Sequence, residues 1–231
     1  MTTRRPVKIA IDGPSGSGKS SVSRAVARSL GLGYLDTGAM YRALTWWCLD
    51  QGIELADTAA VADAARRVPL LMGTDPAAPT VAVDGKDVGV EIRTTDISSV
   101  VSVVATNLEV RAEMRKRQRV LMADIARESG GVVAEGRDIT TVVAPDADVR
   151  ILLTASEEAR LRRRSAELHG EASDTTMEAT RDQVLRRDRD DATVSTFHVA
   201  ADGVVLVDTS DLDFDQSVAA VLEVVARAEP T

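Results

Sequence analysis

The sequence predicts an α/β fold in which a five-stranded parallel sheet carries helices on both faces. Three observations predict it. Short β-branched or apolar runs recur at Val7 to Ile11, Val132 to Ala134, Val149 to Leu153 and Val204 to Val207, and a shorter fifth run ends at Tyr34-Leu35. Segments with helical apolar spacing separate most of these runs, which is the alternation expected of parallel strands joined by crossover helices. The runs are also nearly continuous in apolar character, as strands covered on both faces require.

The elements follow in chain order. After the first run comes a Gly/Ser loop, then a helix on which Val22, Ala25, Val26, Ser29 and Leu30 fall on one face, with Gly31 and Gly33 as stop signals. Leu35-Asp36-Thr37-Gly38-Ala39-Met40-Tyr41-Arg42 closes the second strand and opens another helix, which Thr37 is placed to cap. Two regions break the alternation. In the first, from about Pro69 to Ser102, Asp84-Gly85 between Thr80 to Val83 and Lys86 to Val88 predicts a tight hairpin inside a small insert. A helix then starts after Asn107, with Met114, Leu121, Met122 and Ile125 as its core stripe. Its Arg111, Arg115, Lys116, Arg117 and Arg119 are expected to be mostly solvated. The second irregular region, Ser156 to Asp191, is polar and dense in arginine; Ser156 followed by Glu157 and Glu158 reads as a helix start. Two helices around a mobile tip near Gly170 to Thr175 are expected there, and a last helix over Asp215 to about Ala228. The resulting division is a core of residues 1–68, 103–155 and 192–231, an insert of 69–102, and an arginine-rich region of 156–191.

Composition narrows the function classes. A chain of 231 residues with 44% hydrophobic content suits one α/β domain carrying insertions. A formal net charge of −8 disfavours attraction to nucleic acid or an acidic membrane surface. The single cysteine, Cys48, lies in the apolar helical stretch Leu44 to Leu49 and reads as buried; without an intrachain partner it suits a reducing compartment. The apolar run after the basic start is too short for a signal-peptide core, and no transmembrane-length stretch follows, so a cytoplasmic location is expected.

Gly13-Pro14-Ser15-Gly16-Ser17-Gly18-Lys19-Ser20 satisfies G-x-x-x-x-G-K-[ST] between a predicted strand and a predicted helix, which is the context of a P-loop. Glycines let backbone N–H groups converge on phosphate oxygens, and the helix N-terminus adds positive potential. Lys19 bridges the outer phosphates, Ser20 can reach Mg²⁺, and Ser21 can add a phosphate contact. The motif does not choose among kinases, GTPase switches and larger ATPases. A guanine-reading Asn-Lys-x-Asp is absent, since the only asparagine, Asn107, precedes Leu108 and Glu109. A short chain with two charged insertions favours a small-molecule kinase, whose parts close over both substrates. A nucleotide-dependent switch without turnover is the rival class.

Acceptor candidates stand at two other strand ends. Thr37 and Arg42 could offer a helix N-terminus and a guanidinium to an anion, or could be a cap with an exposed arginine. Arg137 follows Val133-Ala134-Glu135-Gly136. Together, Ile11-Asp12-Gly13-Pro14-Ser15-Gly16, the Asp36 to Arg42 segment, Gly85-Lys86-Asp87-Val88 leading to Glu91-Ile92-Arg93-Thr94, and Gly136-Arg137-Asp138 resemble the bacterial cytidylate kinases. Order and spacing match over nearly the whole chain, whereas adenylate, guanylate and shikimate kinases share mainly the P-loop and sheet.

The resemblance implies a P-loop NTPase fold with a nucleoside-monophosphate-binding insert and a helical lid. It also implies ATP with Mg²⁺ as phosphoryl donor, CMP or dCMP as acceptor, and a monomer. It suggests Thr37, Arg42 and Arg137 as acceptor-phosphate clamp, with Tyr41 beside them, and Ser102, Arg111 and Asp138 as cytosine readers. Arg187 and Asp191 match a ribose-contacting pair, with Arg187 also near the phosphates. Lys19, Arg137, Arg187 and lid arginines then carry the rate. An Asp suits the cytosine amino group, since uracil offers a carbonyl there. Another small P-loop kinase, of UMP/CMP or of a metabolite, is the closest alternative.

The chain departs from the family at the lid's return, where Arg-Asp-x-x-Asp-Ser-x-Arg is common and Val194 stands in place of the last arginine. Arg186, Arg189 or a lid arginine is expected to compensate. Of Arg160, Arg162, Arg163 and Arg164, one or two are expected to contact ATP while the others pair with Glu157, Glu158 or Glu167. His169 and His198 lack partners at metal or triad spacing and read as surface or packing residues.

Overall fold

Strand β1 (Val7–Asp12) lies at the centre of a five-stranded parallel sheet, between β6 (Gly131–Gly136) and β7 (Val149–Thr154), with β2 (Gly33–Asp36) and β8 (Val205–Asp208) at the edges. The computed structural model describes residues 5–170 and 173–228, apart from the side chains of 168, 169, 174, 179, 182, 183 and 187. All five expected strands are present in parallel register. The alternation of each strand sends its side chains to two cores. Ile9, Ile11, Tyr34, Val133, Ile151 and Leu153 pack under helices α1 (Lys19–Leu30) and α8 (Phe214–Ala228), while Ala10, Leu35, Val132 and Ala134 face the opposite side. There they meet α2 (Thr37–Asp50), α3 (Thr58–Arg67) and α5 (Leu108–Ser129). At the margin, Val205 and Leu206 of β8 are 44% and 55% exposed, because an edge strand has a neighbour on one side and little covering it.

Several local expectations need correction. The buried face of α1 is Val22, Ser23, Val26 and Ala27, with Ser29 and Leu30 exposed. Gly31 ends this helix in left-handed conformation, but Gly33 begins β2, where a Cβ would lie 2.2 Å from Cγ2 of Ile125. Asp36, not Thr37, caps α2, accepting from the Ala39 N–H at 2.8 Å. Arg117 and Arg119 are not free in solvent. Arg117 donates to the carbonyls of Val68 and Arg66, and Arg119 to those of Val143 and Val142. Cys48 is buried, and Asn107 caps α5 through the N–H groups of Glu109 and Val110.

Strands β3 (Leu70–Met72), β4 (Val81–Val83) and β5 (Lys86–Asp87) form a small antiparallel sheet, followed by a 3₁₀ turn at Glu91–Arg93 and by α4 (Thr95–Ala105), which runs across position 102. Asp84 and Gly85 both have positive φ, 51° and 76°, as the two-residue hairpin requires. Past β7, Ser156 caps α6 (Glu157–His169), which packs on α7 (Asp174–Ala192). The tip expected near 170–175 falls partly on residues 171 and 172, outside the described residues.

Candidate active site

The P-loop leaves the carboxyl end of β1 and enters α1, bounded by Gly18 at φ 85°. Gly16 has φ 75°, and a Cβ there would stand 2.5 Å from the Arg160 carbonyl oxygen, so the loop tolerates no side chain at this point. Residues far along the chain brace the loop. Nη1 of Arg160 donates to the Ser15 carbonyl at 2.9 Å, and Oδ1 of Asp188 accepts from the Ser15 N–H at 3.0 Å. Arg163 donates to the carbonyl of Ser17 and to Oγ1 of Thr209. Ser15, Gly16, Gly18, Lys19, Ser20 and Ser21 line a cavity of about 390 Å³, while Gly13, Pro14 and Ser17 shape the loop behind it. Nζ of Lys19 lies 3.4 Å from the Pro14 carbonyl.

The opposite wall comes from the ends of β2 and β6 and from α5. Arg137 bonds through Nε to Asp191 at 2.5 Å and through Nη1 to Asp188 at 3.2 Å, and its guanidinium lies over the Phe197 ring at 4.6 Å. Asp138 pairs with Arg111 at 2.5 Å; burial raises its pKa and the Arg111 charge opposes the rise. Oγ1 of Thr37 donates to the Glu135 carbonyl at 2.7 Å, tying the two strand ends together. Arg42 is not an exposed helix arginine: it donates to Oγ of Ser98 at 2.9 Å and to the Ile92 carbonyl at 3.2 Å, and burial lowers its pKa to about 10. Burial likewise pushes up the Tyr41 phenol. Thr37, Tyr41, Arg42, Arg111, Arg137, Asp138 and Asp191 all line the cavity. Ser102 does not; its hydroxyl donates to Asp190 Oδ2 at 3.0 Å. The Arg187 side chain lies outside the described residues.

Residues beyond the expected set complete the site. Glu135, at the carboxyl end of β6, accepts from Ser20 Oγ at 2.6 Å and from the Tyr34 hydroxyl at 3.2 Å. Burial, with Asp36 adding to it and Lys19 opposing it, pushes its pKa up to about 7. The rule that singles out Arg137, a polar residue at a strand end, applies equally to Glu135. Arg93 enters from the 3₁₀ turn and lies 3.5 Å from Asp36; its segment carries part of the family resemblance, but its place in the cavity depends on tertiary folding and has no local signal. Among the lid arginines, Arg164 faces the cavity and pairs with Glu167 at 2.7 Å, Arg160 is buried against Asp188, and Arg162 pairs with Glu158 near the surface. Arg186 and Arg189 are exposed, and neither is among the residues lining the cavity. His198 is exposed beside Phe197, and His169's side chain is outside the described residues.

Asp12, the last residue of β1, ties both walls together. Its carboxylate accepts from the N–H groups of Ile139 and Thr140 at 2.9 and 2.8 Å and from Oγ1 of Thr140 at 2.6 Å, and burial pushes its pKa up to about 6. The P-loop thereby starts from the same anchor as the Arg137-Asp138 segment.

Comparison with known proteins identifies the family. The sequence profile of the family described as Cytidylate kinase matches residues 9–227. The cytidylate kinase of Streptomyces avermitilis is 50% identical over 220 residues, covering 95% of this chain and 92% of the relative. That of Rhodococcus opacus is 49% identical over 220 residues, covering 95% and 94%. Among solved structures, an uncharacterized protein from Eubacterium ventriosum aligns over 95% of this chain and 98% of its own with a TM-score of 0.51 at 10% identity, a likeness of fold alone. No helix among the described residues is long and apolar enough to cross a membrane. With half of its residues shared with such relatives over nearly its full length, and with the P-loop facing an Arg111–Asp138 pair in one cavity, the chain belongs to the cytidylate kinase family, the ATP-dependent kinases of CMP.

Proposed function

We propose that the cavity binds the ATP phosphates on its P-loop wall and CMP or dCMP on the wall formed by Arg42, Arg111, Arg137 and Asp138, with residues 69–102 and 156–191 closing over them as acceptor-binding insert and lid. The observation that carries this reading is that a single cavity is lined by both the P-loop and the Arg111–Asp138 pair. Backbone N–H groups of the loop and the α1 N-terminus hold phosphate oxygens, and Lys19 neutralises charge on the transferring group. Arg42, Arg137 and Arg93 hold the acceptor phosphate, and Thr37 ties the start of α2 to the end of β6 beside them. Asp138 accepts from the cytosine amino group, and Arg111 holds that carboxylate ionised and aimed. Asp191 and Arg187 serve the ribose. Ser102 would join the base edge only on releasing Asp190. Arg164 supplies the lid charge that Val194 does not.

The residues present fit Mg²⁺. Ser20 Oγ and Glu135 Oε1 are hard oxygen donors 2.6 Å apart at the foot of the loop, and a buried carboxyl held near pKa 7 is the group a divalent cation would ionise. When bound, the ion neutralises phosphate charge. Alignment and neutralisation, rather than a dedicated base, then carry the transfer. A monomeric state and a cytoplasmic location belong to the same reading. The test is ADP release with CMP, dCMP, UMP, AMP, GMP and shikimate. Highest kcat/KM for CMP and dCMP is expected. Equal rates with UMP would overturn the base-edge assignment, and binding without turnover would favour a switch.

A further inference from the structure

Asp188 lies between the two substrate walls with its side chain 5% exposed. Its Oδ1 is shared by the Ser15 N–H of the P-loop at 3.0 Å and by Nη1 of Arg137 at 3.2 Å, while Oδ2 is held by Arg160, which also donates to the Ser15 carbonyl at 2.9 Å. One buried carboxylate therefore fixes a peptide unit of the ATP-binding loop and the guanidinium on the acceptor side. The side chains of Asp188, Arg160 and Arg137 are 5%, 10% and 12% exposed, and a nearly buried charge-assisted network of this kind has few alternative arrangements. Asp190 and Asp191, in the same turn of α7, reach Ser102 and Arg137. That turn thus contacts the P-loop, the end of β6 and α4 together.

We propose that Asp188 is a positioning residue that couples the two substrate sites, so that filling the P-loop presets Arg137 for the acceptor phosphate. The inference rests on the site reading above. The chain of contact is short. Phosphate in the loop orders the Ser15 peptide, the peptide N–H holds Oδ1, and Oδ1 holds Nη1 of Arg137. Arg160 keeps the carboxylate from swinging away with either partner. Coupling by this route is reciprocal, so ATP tightens CMP by the same factor as CMP tightens ATP.

The test is calorimetric titration of CMP into the full-length protein, with and without a β,γ-methylene analogue of ATP in the presence of Mg²⁺. In the wild type the analogue is expected to lower the Kd for CMP by about 5-fold or more, the lower end of typical coupling. Asp188→Asn keeps an oxygen for the Ser15 N–H but loses the charge that holds two guanidiniums, and the factor is expected to fall below about 2-fold. Circular dichroism checks that the variant is folded. Arg160→Met, which frees Oδ2, is the second variant and is also expected to weaken coupling, so a failure of Asp188→Asn to fold still leaves a test. Wild-type coupling in whichever variant folds, or no coupling in the wild type, overturns the proposal. A wild type that binds the analogue but no CMP instead overturns the site reading beneath it.

Discussion

Replacing Asp138 by asparagine separates the base-reading role of this residue from its structural one. Asp138 and Arg111 are each 11% exposed in their side chains and 2.5 Å apart. Removing the charge leaves the guanidinium facing a neutral amide, with the Ala105 carbonyl at 3.2 Å as its other partner. Breaking a buried ion pair costs about 3–5 kcal/mol, and the open cavity puts this pair near the lower figure. At roughly 2–4 °C per kcal/mol for a chain of this size, Tm should fall by about 6–12 °C. Substrate choice should change by a different route. The amide oxygen still accepts from the cytosine amino group, but the new NH₂ can donate to the uracil carbonyl at the same ring position. The expected loss of discrimination is about 1–3 kcal/mol, or about 5- to 150-fold in the CMP-to-UMP ratio of kcat/KM. The assay is initial-rate kinetics on both nucleotides below the lowered Tm. A variant with reduced Tm but an unchanged ratio would show that Asp138 supports Arg111 and does not read the base.

Four further outcomes are expected. Lys19→Ala should lower kcat by at least about 100-fold with the circular dichroism spectrum unchanged, and wild-type turnover in the folded variant would contradict its placement. Arg164→Ala should lower kcat with CMP more than about tenfold, the loss of a charge-assisted phosphate contact, while Arg186→Ala and Arg189→Ala stay near wild type and Val194→Arg gains little. A large gain from Val194→Arg, with Arg164→Ala normal, would mean that Arg164 does not compensate. Glu135→Gln should raise the Mg²⁺ concentration for half-maximal rate by about 10-fold or more, and an unaltered Mg²⁺ titration would remove Glu135 from the metal site. For Asp12, burial raises the folded-state pKa from 3.8 to about 6, so the native state binds the extra proton between these values and the contribution of Asp12 to stability declines as pH rises through them. The cost of Asp12→Ala in urea unfolding should accordingly be larger at pH 4 than at pH 7, by up to about 3 kcal/mol; a cost independent of pH would refute it.

What was legible in the sequence is what depends on neighbours in the chain. The P-loop is a contiguous spacing, and the strands are local apolar runs, so both could be read directly. The strand-end rule picked out Thr37, Arg42 and Arg137, which line one cavity, since parallel strands deliver their carboxyl ends to the same edge; Asp138 was singled out by the family resemblance. Choices between adjacent residues were harder. Asp36 and Thr37 are both good caps, and the extended backbone at Asp36 decides for the acid, freeing the Thr37 hydroxyl to bridge to β6. Tertiary placements left no trace at all. Helical spacing says which arginines of α6 share a face but not which direction the face points. The buried partnership of Arg160 with Asp188 therefore could not be distinguished from the surface pairing of Arg162 with Glu158. Arg117 and Arg119 read as solvated for the same reason, because the backbone carbonyls they satisfy lie 23 to 51 positions away. Strand β3 escaped because it is three residues long and Leu71 points into solvent.

The position of β1 in the sheet has a consequence for how the chain is made. It leaves the ribosome well before its hydrogen-bonding neighbours β6 and β7, with Val7 opposite Gly131 and Ile9 opposite Val149. At the usual 5–20 residues per second, about 6–25 s pass before the first of those partners exists. During that interval Ile9, Ala10 and Ile11, fully buried in the finished protein, have no sheet to join. The nucleotide loop that follows β1 is equally incomplete until residues 160 and 188 emerge to brace it, so ATP cannot stabilise an early intermediate. Folding must therefore wait for most of the chain, and refolding should be slow, as non-local strand pairing makes it. In the cell, the nascent segment around β1 is then a stretch that needs shielding from other chains until β6 and β7 emerge.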